Sequence, residues 1–208
     1  MGENAGRASD RKRALRQALR AARAAIAADE RARIDAIIAK KILCSWVWVD
    51  ATVVYTYLSF GCEVDTRALI EHAWREDKRV ALPRCVPGTR SMRWFFVDSY
   101  EGLERSPMGI EEPPIDATRV APAVGCATAL ALVPGLAFDA QGFRIGYGGG
   151  FYDGFLVGFE GISVGMCRMQ FIVDDLPSMG VVEPHDLPVD LIACEDRELS
   201  TCSYKRRR

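Results

Sequence analysis

Residues 144–153 read RIGYGGGFYD, which places Gly146, Gly148, Gly149 and Gly150 within five positions, between Arg144 and Asp153. Glycine at that density costs chain entropy. Its physical use is close approach, because amide N–H groups without neighbouring Cβ atoms can converge on the oxygens of an anion such as phosphate. The FYDGFL that follows reads as a helix start whose positive end adds to the attraction, and Arg144 supplies a fixed charge. Asp153 fits two roles. It can complement the dipole of the helix's first turn, or it can give one oxygen to Mg²⁺, an ion that keeps waters and takes one or two carboxylates. Single positions exclude two common nucleotide fingerprints. A dinucleotide-binding GxGxxG begun at Gly146 meets Phe151, and one begun at Gly148 meets Asp153. The Walker pattern needs Lys and then Ser or Thr where Phe151 and Tyr152 stand. A tight turn with no ligand is the competing reading.

The elements that must position this loop follow from apolar periodicity. Leu15, Leu19, Ala22 and Ile26 form one face of a helix over about 9–28, with Lys12, Arg16, Arg20 and Arg23 as a basic stripe. A second helix is expected over 29–43, then a β-rich segment at 51–58 and a helix over 65–77 capped by Asp65 or Thr66. Strands are expected at 79–83, 92–97, 162–166 and 190–194. Residues 107–122, rich in Pro, Gly and acids, read as a long irregular connection with a function. The apolar run that ends at Pro134 predicts a central strand buried on both faces. Strands alternating with helices predict an α/β fold with a mostly parallel sheet. Ligands gather beyond the carboxyl ends of such strands, where residues 134–153 are expected.

Composition narrows the classes. A chain of 208 residues that is 49% hydrophobic can bury one core, and a formal net charge of -1 gives no bulk drive toward nucleic acid or an anionic membrane. Basic residues cluster in the first helix and in the tail Lys205–Arg208, so a nucleic-acid reading would predict salt-sensitive retention. Seven cysteines without a CxxC pair read as reduced thiols. His72 and His185 are isolated in sequence, which speaks against a structural zinc site. The start lacks the apolar core of a secretory signal, and no segment reaches the roughly twenty apolar residues of a spanning helix. A cytoplasmic location is expected. The Arg-rich start also fits an organelle transit peptide, against which Asp10, Asp29 and Glu30 count.

The stretch VPGLAFDAQGFRIGYGGGFYD resembles the signature of the 5-formyltetrahydrofolate cyclo-ligases, also called methenyltetrahydrofolate synthetases. Pro134, Gly135, Phe138, Asp139, Gly142, Arg144, Gly146, Tyr147, Gly148, Gly150, Tyr152 and Asp153 stand in the matching places. The resemblance extends to RKRALR near the start, YLSFGCEVDT and VALPRC in the middle, and EPHDLPVDLI near the end. It implies a three-layer α/β fold with a mostly parallel central sheet flanked by helices, of the NagB/RpiA/CoA-transferase-like kind. One domain is expected over 1–208, with flexible tails at 1–8 and 200–208.

The resemblance also implies roles. Lys12 and Arg16 would bind ATP phosphates with Arg144, Ile145, Gly146, Tyr147, Gly148, Gly149, Gly150, Phe151 and Tyr152. Lys12 and Arg144 would serve the chemistry. Leu58 and Glu63 would line the folate pocket together with residues 147–151, and Asp153 and Asp186 would hold Mg²⁺. Taken singly, Lys12 and Arg16 fit a solvated helix face, Glu63 a surface acid or helix-start residue, and Asp186 a turn residue before Pro188. Tyr147, Phe151 and Tyr152 are candidates to stack on pterin or adenine. Three departures from the family pattern are local: Phe151 in place of a Tyr, Gly154 in place of a larger residue, and the tail after Cys194.

The implied reaction converts ATP and 5-formyltetrahydrofolate into 5,10-methenyltetrahydrofolate, ADP and phosphate through a phosphorylated formyl group. ATP and Mg²⁺ are the implied cofactors. A monomer with a small-molecule substrate and no nucleic-acid or membrane partner is expected. No Ser-His-Asp or Cys-His arrangement is evident, which suits a reaction without a protein nucleophile. Two other readings compete: an ATP-dependent enzyme of this fold acting on another substrate, and a non-catalytic folate-binding or regulatory relative.

Overall fold

The computed structural model describes the backbone of residues 2–201 and the side chains of 10–197. The basic tail Lys205–Arg208 lies outside the described residues. The chain begins with α1 (Gly2–Ala25), α2 (Ala28–Leu43) and a single turn, α3 (Trp46–Val49). It continues through β1 (Val53–Tyr55), α4 (Arg67–Arg75), β2 (Arg79–Cys85) and β3 (Met92–Val97). Three two-residue strands follow, β4 (Glu104–Arg105), β5 (Glu111–Glu112) and β6 (Val120–Ala121). Then come β7 (Ala129–Val133), β8 (Ala137–Asp139), β9 (Arg144–Ile145) and α5 (Phe151–Leu156). The last elements are β10 (Ile162–Met166), β11 (Ile172–Val173), β12 (Leu191–Cys194) and β13 (Arg197–Thr201).

The main sheet has the order β13-β12-β10-β7-β1-β2-β3-β6. Its centre, from β12 to β2, is parallel, while β13 at one edge and β3 and β6 at the other run antiparallel. The expected mostly parallel α/β sheet is therefore present.

Alternation along β7 explains why both faces are covered. Leu130 and Leu132 join Ile38, Ile42, Leu69 and Ile70 of α2 and α4 on one face. Ala129, Ala131 and Val133 point to the other, where Phe138, Phe155 and Phe159 pack with Leu15 and Leu19 of α1 beside them. All five residues of β7 are buried, so it reads as a continuous apolar run instead of alternating polar and apolar. The small residues on the second face leave room for aromatic rings. Phe138 lies where a Cβ on Gly135 or Gly165 would stand.

Several elements differ from the sequence reading. β1 ends at Tyr55. Beyond it the Thr56 amide still donates to Ala81 O, but Tyr57 bonds through its hydroxyl to Val64 O, so the chain leaves the sheet. At the start of α4 the Asp65 carboxylate accepts from the Arg67 amide, while the Thr66 hydroxyl donates to Tyr57 O. Asp65 is thus the capping side chain, one position before the N-cap. The region 107–122 is not without structure, since it holds β5, a turn of 3₁₀ helix at Ala117–Arg119 and the edge strand β6. α1 starts at Gly2, inside the stretch read as a tail.

Candidate active site

A cavity of about 770 Å³ opens beyond the carboxyl ends of β1, β2 and β7, where Tyr57, Leu58, Leu82, Pro83 and Pro134 form its floor. Every residue expected to bind nucleotide, folate or metal lines it: Lys12 and Arg16 from α1, Leu58 and Glu63 after β1, the whole run Arg144–Asp153, and Asp186. Residues up to 174 positions apart meet there.

The glycine loop is held by the hairpin β8–β9. Asp139, fully buried, accepts from the Gln141, Phe143 and Leu176 amides, which fixes the turn between the two strands. Burial pushes its carboxyl up and the three amides oppose that. Asp139 of the signature is therefore structural. Past Ile145 the chain enters the left-handed region at Gly148 (φ 106°) and Gly150 (φ 70°), which side chains rarely adopt. A Cβ on Gly149 would stand 2.5 Å from the Phe151 ring. The helix that follows, α5, has only six residues, so its dipole is short and the attraction for an anion rests mainly on side-chain cations.

Those cations come from α1, whose basic stripe turns inward. Arg16 donates through Nε to Gly146 O at 3.0 Å, and Arg20 donates to Tyr147 O at 3.0 Å with its guanidinium 5.4 Å from the Tyr147 ring centre. Lys12 and Arg23 are 5% and 1% exposed, which rules out a solvated face for these two and removes them from any surface patch for nucleic acid. Lys12 Nζ lies 2.7 Å from Glu183 Oε2 and 2.6 Å from Asp186 Oδ2. Arg144 donates to Asp153 Oδ1 at 2.8 Å and to Leu187 O at 2.7 Å, and the Leu187 amide donates back to Asp153. Two of the three expected phosphate cations are thus paired with an expected metal carboxylate, Lys12 with Asp186 and Arg144 with Asp153, while Arg16 bonds to the Gly146 carbonyl.

Among the described residues, Glu183, His185 and Asp186 have ligand atoms within 4.8 Å of one another and form a group able to hold a metal ion. His185, isolated in sequence, is not isolated in space. The expected carboxylate Asp153 stands outside this group, joined to it through Leu187. Oxygen donors with a charge-neutralising lysine suit a hard divalent cation such as Mg²⁺, and five cationic side chains, Lys12, Arg16, Arg20, Arg90 and Arg144, lining the cavity with the glycine loop suit a polyphosphate.

Across the cavity, Glu63 Oε2 accepts from the Phe60 amide at 2.9 Å. Burial pushes its carboxyl up, opposed by that amide, by the Arg23 charge and by a hydrogen bond from the Tyr147 hydroxyl. The three candidate stacking rings differ. Tyr147 is exposed and Phe151 half-buried. Tyr152 turns its ring toward Trp94 and Phe155, at 6.3 Å from each, with its hydroxyl enclosed and unbonded. Cys85 also lines the cavity, but burial and the nearby Glu112 push its thiol up to about 11, unsuited to a nucleophile at neutral pH.

Sequence reasoning did not assign Arg20, Arg90, Glu183 or His185 to the site, nor Met108 and Ile110 on its outer wall. Arg20 was within reach, one turn beyond Arg16 on the same helix face. The wall brings Met108, Ile110, Glu111 and Glu112 of the 107–122 connection to the cavity.

A family model described as the 5-formyltetrahydrofolate cyclo-ligase family matches residues 8–195. The chain is 34% identical over 148 residues to the 5-formyltetrahydrofolate cyclo-ligase of Escherichia coli K12, covering 69% of this chain and 78% of that protein. It is 27% identical over 195 residues to the mouse protein of the same name, covering 91% and 96%. The structure of Aquifex aeolicus 5,10-methenyltetrahydrofolate synthetase superposes with a TM-score of 0.77 at 26% identity, covering 95% of each chain. With the family model spanning nearly the whole chain and the signature loop built into one cavity, this chain belongs to the 5-formyltetrahydrofolate cyclo-ligase family and is a ligase of that kind.

Proposed function

We propose that the protein uses Mg²⁺-ATP to close 5-formyltetrahydrofolate to 5,10-methenyltetrahydrofolate, with release of ADP and phosphate. The observation that carries the reading is the convergence of Lys12, Arg16, Arg144 and the glycine loop on one side of a single cavity, with Leu58 and Glu63 on the other.

The formyl oxygen on N5 is a poor leaving group. Transfer of the γ-phosphoryl group to it forms the O–P bond and breaks the bond to ADP. N10 then bonds to the activated carbon and gives up its proton, and the C–O bond breaks as phosphate departs, carrying the oxygen and, in net balance, that proton. Such transfers need positioning and charge stabilisation more than covalent help from the protein. Arg144 and Lys12 stabilise charge on the transferred group, and Arg16 and Arg20 hold the glycine loop through its carbonyls so that its amides can face phosphate oxygens. Asp153 and Asp186, with Glu183 and His185 beside Asp186, would hold Mg²⁺, which supplies charge neutralisation on the polyphosphate. Glu63 accepts hydrogen bonds from pterin nitrogens and orients the ring, with Leu58 as apolar wall. The fold fits the three-layer NagB/RpiA/CoA-transferase-like arrangement, its sheet covered on both faces.

Incubation with Mg²⁺-ATP and 5-formyltetrahydrofolate should give a rise in the near-ultraviolet absorbance of the methenyl product. A rise that is independent of ATP, or no rise at any enzyme concentration, rejects the proposal.

A further inference from the structure

Two arginines are buried to the point of being among the largest enclosed side chains, and the reaction does not use them. Arg168, following β10, is 0% exposed, and Arg23 of α1 is 1% exposed. Burying a guanidinium is costly unless its charge is paired and its donors are used. Arg168 meets both conditions. Nε and Nη2 donate to Asp35 Oδ1 and Oδ2 at 2.8 and 2.7 Å, Nη1 donates to Cys62 O at 3.1 Å, and Nη2 also reaches Glu63 O at 3.1 Å. Arg23 donates to the same Cys62 O at 3.3 Å and to Gly135 O. Asp35, from α2, accepts in turn from the Asp65 amide at 3.1 Å. Apart from the Arg168–Asp35 pair itself, each of these bonds involves the backbone of residues 62–65 or the turn that follows β7.

Apolar packing holds that loop only at Val64, which is buried in the core, while Cys62 and Glu63 are partly buried and Asp65 is exposed. A second hollow of about 310 Å³, lined by Asp35, Ser59, Gly61, Asp65 and Arg168, lies behind it, and Glu63 lines both cavities. The loop is a partition between two spaces, fixed by hydrogen bonds to its carbonyls from buried cations. We infer that Asp35, Arg168 and Arg23 are positioning residues that fix the Glu63 carboxylate toward the folate side of the cavity. The inference rests on the reading of Glu63 given above and extends it to residues no ligand in the main cavity touches.

Arg168→Lys tests this most cleanly, since a lysine keeps the charge beside Asp35 but cannot donate in the same fork to both carbonyls. The KM for 5-formyltetrahydrofolate should rise about tenfold, the size of one lost orienting contact, with the KM for ATP changed less than about twofold. In a Glu63→Gln background the same substitution should add less than about twofold, because residues acting through one group are not additive. Arg23→Lys, which loosens Cys62 O from the other side, should show the same split and carries the test should Arg168→Lys fail to fold. Equal rises in both KM values, or a full multiplicative effect on top of Glu63→Gln, would overturn the inference. Wild-type protein without turnover overturns the substrate reading itself, a failure distinct from wild-type turnover with an unchanged folate KM in the lysine variants.

Discussion

The two sides of the cavity are held in place by opposite devices. On the side proposed for phosphate, cations and carboxylates face the cavity in mutual pairs, Lys12 with Glu183 and Asp186, and Arg144 with Asp153. On the side proposed for folate, Glu63 sits on a loop whose carbonyls are gripped from behind by Arg168 and Arg23, both out of reach of any ligand in the main cavity. Under the proposed function, the difference follows from what each side would bind. A polyphosphate with its cation brings charges of both signs, so a paired site can exchange partners without leaving any group unpaired in low dielectric. A neutral ring system brings no such charge, and its orientation depends on acceptors fixed before it arrives.

Breaking a phosphate-side pair should have the largest effect. Arg144→Ala removes the cation that reaches both Asp153 and Leu187 O and should lower kcat/KM by about 10²-fold to 10³-fold, the range for loss of one charge-stabilising donor. Asp153→Ala leaves Arg144 bonded to Leu187 O and should fall at the lower end of that range. Both variants should keep a cooperative thermal transition. Full ATP-dependent turnover in both would sink the assignment of the two residues.

Gly149→Ala leaves every charge in place and asks whether backbone placement alone matters. The added Cβ would collide with the Phe151 ring, so the loop or the ring must shift. Since displacements near 1 Å can cost about 10²-fold, turnover should drop by about tenfold to 10²-fold while thermal stability changes little. Steady-state kinetics with ATP varied at saturating folate is the relevant measurement, and unchanged kinetics would show that the loop tolerates the displacement.

How legible these two sides were differs for physical reasons. The glycine loop declares itself because its requirement is local: backbone freedom is written in the residue type at 146, 148, 149 and 150. Strands β3 and β10 were found at their full bounds because both are short, mostly apolar runs, broken only by Arg93 in β3 and by Ser163 and Gly165 in β10. The frame behind Glu63 was not found, because a buried arginine looks like any other arginine in sequence. Arg168 bonds Asp35 across 133 positions, and nothing near either signals the other. Lys12 was expected at a phosphate and stands between two carboxylates, an arrangement set by the meeting of α1 with the 183–186 turn. Strand β1 was read too long because Thr56 to Leu58 keep β-forming residues after the chain has turned toward the cavity.

A smaller effect separates the two sides by pH. Burial raises the Glu63 carboxyl above its ordinary value, so Glu63 disfavours the folded state once it is ionised. Its contribution is most favourable below the unfolded carboxylate range and is lost as pH rises through the raised folded value. Glu63→Gln removes this dependence. The variant should therefore gain thermal stability relative to wild type as pH increases from about 4 to 8, and parallel melting curves across that range would contradict the burial argument.

The smallest expected change concerns Tyr152, whose enclosed hydroxyl has no hydrogen-bond partner. A buried hydroxyl left unbonded costs desolvation without return, so Tyr152→Phe should leave the ligand-free protein equally stable or stabilise it by at most about 1 kcal/mol. For a chain of this size that corresponds to a rise in Tm of about 2–4 °C. Tyr152 also lines the cavity, so a ligand that supplies an acceptor would reverse the sign of the effect. Wild type should then gain more stability than the variant when 5-formyltetrahydrofolate or Mg²⁺-ATP is added. Running the two titrations separately shows which side the hydroxyl serves, because only the ligand that meets it will separate the melting curves.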